Sequence, residues 1–213
     1  GVDFTANIAI ADVAGNTGTS NTDTFSADNT DPSAAITSDI VWSNDGTATV
    51  TFTASDGGSG IASCTLTLSH ATEADQTDVS CANGNGQATF NVADGTDYTA
   101  SIAIADTAGN TGSSNTDTFS ADNTDPVAAI TSDVVWDNDG VVTVTWTASD
   151  GGSGIDDCTL TVAGQTYDCL ANASPADFTV ADGADYTANI AITDVAGNSG
   201  SSNTDTFSMD NTD

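Results

Sequence analysis

The same stretch of sequence occurs three times in this chain. Residues 8–32 read IAIADVAGNTGTSNTDTFSADNTDP, residues 102–126 read IAIADTAGNTGSSNTDTFSADNTDP, and residues 190–213 read IAITDVAGNSGSSNTDTFSMDNTD. The copies begin 94 and then 88 residues apart. That spacing is the size of a small domain, not of a solenoid turn. Two full periods fit, residues 31–123 and 124–213. Residues 1–30 match only the last third of a period, because Gly1 aligns with Gly95. So short a piece cannot bury a core of its own. It is expected to be the C-terminal part of an incomplete domain, completed by other strands, in a window of a longer periodic protein. A domain repeated this faithfully builds length or valency more readily than it builds an active site.

Within each period the apolar residues alternate with polar ones. Ala48, Val50, Phe52 and Ala54 interleave with Thr47, Thr49, Thr51 and Thr53. Cys64, Leu66 and Leu68 interleave with Thr65 and Thr67, and Tyr98, Ala100, Ile102 and Ile104 with Thr99, Ser101 and Ala103. The second period repeats the pattern in Val142, Val144, Trp146 and Ala148, and again in Tyr186, Ala188, Ile190 and Ile192. This is the period of half-buried antiparallel strands, apolar inward and threonine outward. Clusters of Gly, Asn and Asp separate the runs and supply turn chemistry. The reading is all-β: tandem β-sandwich domains of about seven strands each.

Charge narrows the partners. There is no Lys or Arg against 31 acidic residues. Nucleic acid is excluded as a natural partner, since phosphate binding needs cations. Anionic membrane surfaces are disfavoured for the same reason, and no apolar run is long enough to insert in a bilayer as a helix. Self-repulsion at this charge opposes a compact state unless counter-ions screen it or bind. A salty or calcium-rich environment is therefore expected, with acidity for solubility alone as the simpler alternative.

The four cysteines come two per period. Cys64 and Cys158 occupy the same repeat position, while the loop leading to Cys81 or Cys169 shortens by six residues, the whole difference between 94 and 88. A pairing that survives such a deletion predicts the bonds Cys64–Cys81 and Cys158–Cys169. The spacings fit no zinc knuckle. Disulfides place the chain in an oxidising, extracellular or cell-surface setting.

Two motifs sharpen the fold. Asp94-Gly-Thr-Asp-Tyr98-Thr-Ala100 recurs as Asp182-Gly-Ala-Asp-Tyr186-Thr-Ala188, and resembles the immunoglobulin corner in which a Tyr hydroxyl bonds backbone ahead of a core strand. D-x-x-G-N-x-G followed by a strand ending in D-N-T-D-P resembles the bacterial immunoglobulin-like repeats of giant surface adhesins, over essentially the whole chain. That resemblance implies tandem immunoglobulin-like, Greek-key sandwiches strung into extended extracellular stalks or fibres, often stiffened by calcium.

Counting strands up and down brings several acidic motifs to one pole of each domain. The incoming linker offers Asp28 and Asp31, the loop Ser55–Gly60 offers Asp56, and the loop Asp106–Asn110 offers Asp106 and Asn110. The next junction offers Asp122, Asp125, Asp150, Asp194 and Asn198. Calcium takes six to eight oxygens from such side chains in a flexible shell, and soft ligands are lacking. The competing reading is plain turn chemistry, since Asp and Asn beside Gly also bond their own backbone. An unliganded linker of this charge is expected to repel itself and hinge. His70, in the loop that only one period carries, reads as a solvated loop residue. No nucleophile elbow, phosphate loop or distinguished carboxylate pair occurs, so the chain does not read as an enzyme.

The favoured function is structural: a stalk or filament segment of a cell-surface adhesin or fibre, its partners being further repeats or neighbouring copies. The alternatives are a glycan- or surface-binding adhesin module, and a spacer of a secreted enzyme. The threonine ladders read as solvated strand surface, with O-glycosylation or ligand binding as rivals.

Overall fold

Alternation in the sequence becomes alternation of burial in the computed structural model. Along residues 47–55, Ala48, Val50, Phe52 and Ala54 are buried while the threonines between them are exposed or half-exposed. The structure describes residues 2–212. It is built of strands; among the described residues there is no α-helix, only the 3-10 turn Ser80–Asn83, and no helix long and apolar enough to cross a membrane.

By contact the chain falls into two compact units. One comprises Gly1–Ile40, Ala48–Phe90 and Asp97–Thr118, the other Val41–Thr47, Asn91–Thr96 and Phe119–Asp213. In the first, β1 (Val2–Ala6), β2 (Ala9–Ala11), β3 (Thr17–Thr19) and β4 (Asp23–Ala27) form two small ladders, β1 antiparallel to β4 and β2 to β3. Next come β5 (Ser33–Ile36), β6 (Trp42–Ser43), β7 (Thr47–Ser55), β8 (Ile61–Ser69), β9 (Gln76–Asp78), β10 (Gly86–Asn91), β11 (Gly95–Asp106), β12 (Thr111–Ser113) and β13 (Asp117–Ala121). One sheet runs β10–β7–β5, with Ile36 opposite Phe52. The other carries β9, β8 and β11 side by side, with Leu66 opposite Ile102 and Cys64 opposite Ile104. Val50, Phe52, Leu66, Leu68, Ile102 and Ile104 are all buried. Two sheets with apolar inner faces are the sandwich solution. Each such side chain contributes roughly 1.5–3 kcal/mol when fully buried.

In the second unit, Trp42 and Ser43 of β6 pair in parallel with Ser120 and Ala121. The remaining strands are β14 (Val127–Ile130), β15 (Trp136–Asp137), β16 (Val141–Val144), β17 (Trp146–Ser149), β18 (Ile155–Val162), β19 (Gln165–Asp168), β20 (Ala176–Thr179), β21 (Gly183–Asp194), β22 (Ser199–Ser201) and β23 (Asp205–Met209). β14–β17 and β16–β20 face the sheet β15–β23–β21–β18–β19. Ile130, Val142, Val144, Leu160, Phe178, Ile190, Ile192 and Phe207 share one core. The continuous strand expected through Val142–Ala148 is interrupted at Thr145, where the Trp146 N–H donates instead to Ser174 Oγ at 2.9 Å.

Both disulfides form as the spacing predicts, Cys64–Cys81 and Cys158–Cys169, each with Cα atoms 5.3 Å apart, and no cysteine is free. The corner tyrosines behave differently from each other. The Tyr186 hydroxyl donates to the Asp182 carbonyl at 3.5 Å, the backbone bond the motif implies. Tyr98 donates to Glu73 Oε1 at 3.0 Å and stacks on His70 with ring centroids 4.4 Å apart. His70 is therefore a packing residue, not merely a solvated one: the longer loop of this repeat folds back over its tyrosine.

Candidate metal centres

Three carboxylates meet in the first unit. Asp28 follows β4, Asp56 opens the turn after β7, and Asp106 ends β11. Each places an oxygen within 4.8 Å of the other two. The sequence around them explains how they are held. Asp56 Oδ2 accepts the N–H groups of Gly58 and Gly60 at 3.0 and 2.7 Å, curling the Asp-Gly-Gly-Ser-Gly turn around its own first side chain. The Ser59 N–H, presented by that curl, donates to Asp28 Oδ2 at 2.5 Å. Asp106 Oδ1 accepts the Asn110 N–H at 2.8 Å and Oδ2 the Asn110 Nδ2 at 2.7 Å. Asn110 Nδ2 also reaches the Asp28 carbonyl at 3.1 Å. The Ala108 N–H donates to Ser59 Oγ at 3.0 Å, joining the two loops.

The second unit repeats the set with Asp122, Asp150 and Asp194, again within 4.8 Å of one another. Gly152 and Gly154 donate to Asp150 Oδ2, and Ser153 to Asp122 Oδ2. Asn198 donates to Asp194 through its backbone and side chain, each at 2.8 Å, and to the Asp122 carbonyl at 2.8 Å. Asp122, Asp194 and Asn198 are buried.

Two further features accompany the turn hydrogen bonds. Asp56 Oδ1 and Asp150 Oδ1 are buried and lack any hydrogen-bond partner. A buried carboxylate oxygen without a donor is costly, and the same oxygen is orphaned at both sites. Second, the glycines leave room for a neighbour's charge. A Cβ on Gly58 would lie 2.1 Å from Asp28 Oδ2, and one on Gly152 2.3 Å from the Asp122 carboxylate. Turn chemistry requires neither feature.

The surrounding donors favour the charged forms. The Ser59 and then the Thr30 N–H hold the Asp28 carboxyl below its ordinary range. Burial pushes Asp106 up, and the Asp28 charge adds to that. The Asn110 side chain and backbone, with the Gly109 N–H, outweigh both and hold Asp106 low. No Lys or Arg exists anywhere in the chain to neutralise the three.

Of the remaining candidates, Asn110 and Asn198 sit beside the clusters as clamps on a carboxylate and a linker carbonyl. Asp31 and Asp125 are exposed and belong to neither cluster. The linkers also make contacts of their own with the neighbouring loops. Gly112 abuts Pro32, where a Cβ would lie 2.2 Å from the carbonyl oxygen; Gly200 and Pro126 repeat this at 2.0 Å. In the second unit Asn123 donates its N–H to Asp94 Oδ1 at 2.6 Å and its Nδ2 to the Val92 carbonyl at 3.2 Å, and accepts the Gly46 N–H at 2.7 Å. Thr124 Oγ1 donates to Asp94 Oδ2 at 2.6 Å. Sequence reading missed this role of Asp94. Its signal was the repetition, since Asp182 receives the Asn211 N–H at 2.6 Å in the same way.

The bacterial Ig-like domain family matches residues 21–123 and 164–211. The chain belongs to that family. Among solved structures, the fibronectin(III)-like modules of Clostridium thermocellum CbhA are similar to it at 14% identity and a TM-score of 0.42, over 84% of this chain and 94% of that one. No curated protein matches it. Bacterial Ig-like domains are typically non-catalytic modules of extracellular type, which agrees with the two disulfides. The carboxylate clusters lie where this chain brings two loops and a linker together, and their donor set is all oxygen, the kind that hard cations take.

Proposed function

We propose that this bacterial Ig-like chain is a segment of an extracellular stalk or filament, and that calcium holds its linkers to the loops beside them. The observation that carries the reading is the orphaned Asp56 Oδ1, recurring as Asp150 Oδ1, inside a cluster of three carboxylates. A divalent ion would satisfy that oxygen and neutralise the charges the cluster gathers. Asp28, Asp56 and Asp106 would hold it at one site, and Asp122, Asp150 and Asp194 at the other. Water and carbonyl oxygens would complete a shell of six to eight. The ion's role is charge neutralisation and cross-linking; the linker is already seated by Asn110 or Asn198. The faithful repetition supports a part that projects something else or joins further copies of itself in a fibre.

The test is calorimetric titration of chelator-treated protein with calcium, paired with small-angle scattering. Two binding events per chain are expected, one lost in Asp56→Asn and the other in Asp150→Asn, with larger bending amplitude after chelation. No binding below millimolar calcium, together with identical scattering in chelator, would reject the calcium reading and leave turn chemistry to explain the motifs.

A further inference from the structure

The N-terminal strands carry an apolar face that the described residues leave exposed. Phe4, Ile8, Ile10 and Phe25 are 44, 65, 67 and 53% exposed. The ladders beneath are well formed: Phe4 lies opposite Phe25 with ring centroids 5.5 Å apart, and Ile10 lies opposite Gly18. The loop between β2 and β3 also has its final form. Asp12 accepts from Asn16 at 2.8 and 2.7 Å, the bonds that Asp106 makes with Asn110.

The chain itself displays what covers such a face. The equivalents of Ile8, Ile10 and Phe25 in the last repeat are Ile190, Ile192 and Phe207, each 1–2% exposed. They share a core with Ile130, Val142, Val144 and Phe178, on β14, β16 and β20. In the middle repeat Ile102, Ile104 and Phe119 are likewise only 1–3% exposed. An isolated two-stranded ladder is marginal in water, and a cluster of this size marks a contact surface.

We infer that β1–β4 form a docking face for one occupant: the strands of another repeat of this kind, equivalent to residues 31–94, joined ahead of Gly1. The covering sheet must present alternating Ile, Val and Phe, as Ile36, Val50, Phe52 and Phe90 do. A second copy of this chain does not fit, because its own sheets of that type already cover their partners. The inference rests on the repeat-stalk reading but is independent of calcium.

The experiment places a second copy of residues 31–94 directly before Gly1 and follows amide hydrogen exchange in chelator and in calcium. Protection at Val2–Ala6 and Asp23–Ala27 is expected to rise to that of Asp205–Met209 in both conditions. Phe25→Ser in the extended chain should undo the gain and leave Asp205–Met209 unchanged. Two outcomes overturn the inference. One is exchange in the hairpin that stays as fast as in the 213-residue chain. The other is sedimentation of the unextended chain as a dimer with its hairpin protected, which would make the face a self-association surface. Loss of calcium binding with the protection gain intact would remove the calcium reading only.

Discussion

Gly57 and Gly58 are adjacent and chemically identical, yet they face different constraints. A Cβ on Gly57 meets nothing within 4 Å, while one on Gly58 would enter the Asp28 carboxylate. Neither needs a left-handed backbone, so the difference is purely one of space. Gly57→Ala should leave calcium affinity near that of the parent. Gly58→Ala should displace Asp28 and weaken the first site by at least roughly tenfold, about 1.4 kcal/mol, in the same titration. Gly112→Ala acts on the linker instead, since its Cβ meets the backbone carbonyl of Pro32. A melting-temperature loss equivalent to about 1–3 kcal/mol is expected from that overpacking. Asp12 provides the cleanest proton test, because it belongs to neither carboxylate cluster. The Asn16 side chain, then its backbone N–H, lowers the Asp12 value below the ordinary 3.8. A depressed folded value means that the Asp12–Asn16 bonds contribute fully above 3.8 and are lost only as pH falls through the lower folded value. Carboxyl NMR should find the Asp12 midpoint below 3.8, and Asn16→Ala should raise it toward the ordinary value, the remaining backbone N–H donors keeping part of the shift.

At the scale of elements, each disulfide fastens β8 or β18 to the stretch that follows it. The two loops differ in length, with separations of 17 and 11 residues. Closing a loop of this size contributes on the order of 3 kcal/mol, so Cys64→Ala with Cys81→Ala should lower chemical-denaturation stability by about that amount. Far-UV circular dichroism should stay native, because β8 is held by its ladder to β11 as well. The strands were legible because their inner faces are strictly alternating: Val50 and Phe52, Leu66 and Leu68, Ile102 and Ile104 could only be read with a period of two. The disulfides were legible through the matched position of Cys64 and Cys158. What escaped was whatever lacks a period. Trp42–Ser43 and Trp136–Asp137 are two-residue parallel pairings, too short to show alternation. The break at Thr145 depends on the bond from the Trp146 N–H to the Ser174 hydroxyl, 28 positions away in the chain. The embrace of Tyr98 by His70 and Glu73 belongs to an insertion that the neighbouring repeat cannot echo. The carboxylate clusters were half legible. Counting strands brings Asp28, Asp56 and Asp106 to one pole, but their separation from Asp31 and the missing donor at Asp56 Oδ1 arise only in the folded loops.

For the molecule as a whole, 31 acidic residues without a single Lys or Arg leave cations as the sole source of neutralisation. Cations can act in two ways that differ in their concentration dependence. Diffuse screening weakens repulsion gradually, with a Debye length of about 10 Å at 0.1 M salt. A bound ion stabilises by mass action, reaching about 2.7 kcal/mol per site at a hundredfold excess over its dissociation constant. Chelator-treated protein should therefore melt higher as sodium chloride is raised. Calcium should achieve the same rise at far lower ionic strength, where screening is negligible. The double variant Asp56→Asn with Asp150→Asn separates the two effects, because it removes the orphaned oxygen from each cluster while changing the net charge by only two. It should keep the sodium response of the parent and lose the low-concentration calcium response. A double variant whose melting temperature follows calcium as the parent's does would show that calcium acts as a diffuse counter-ion, and that the two clusters are not where it binds.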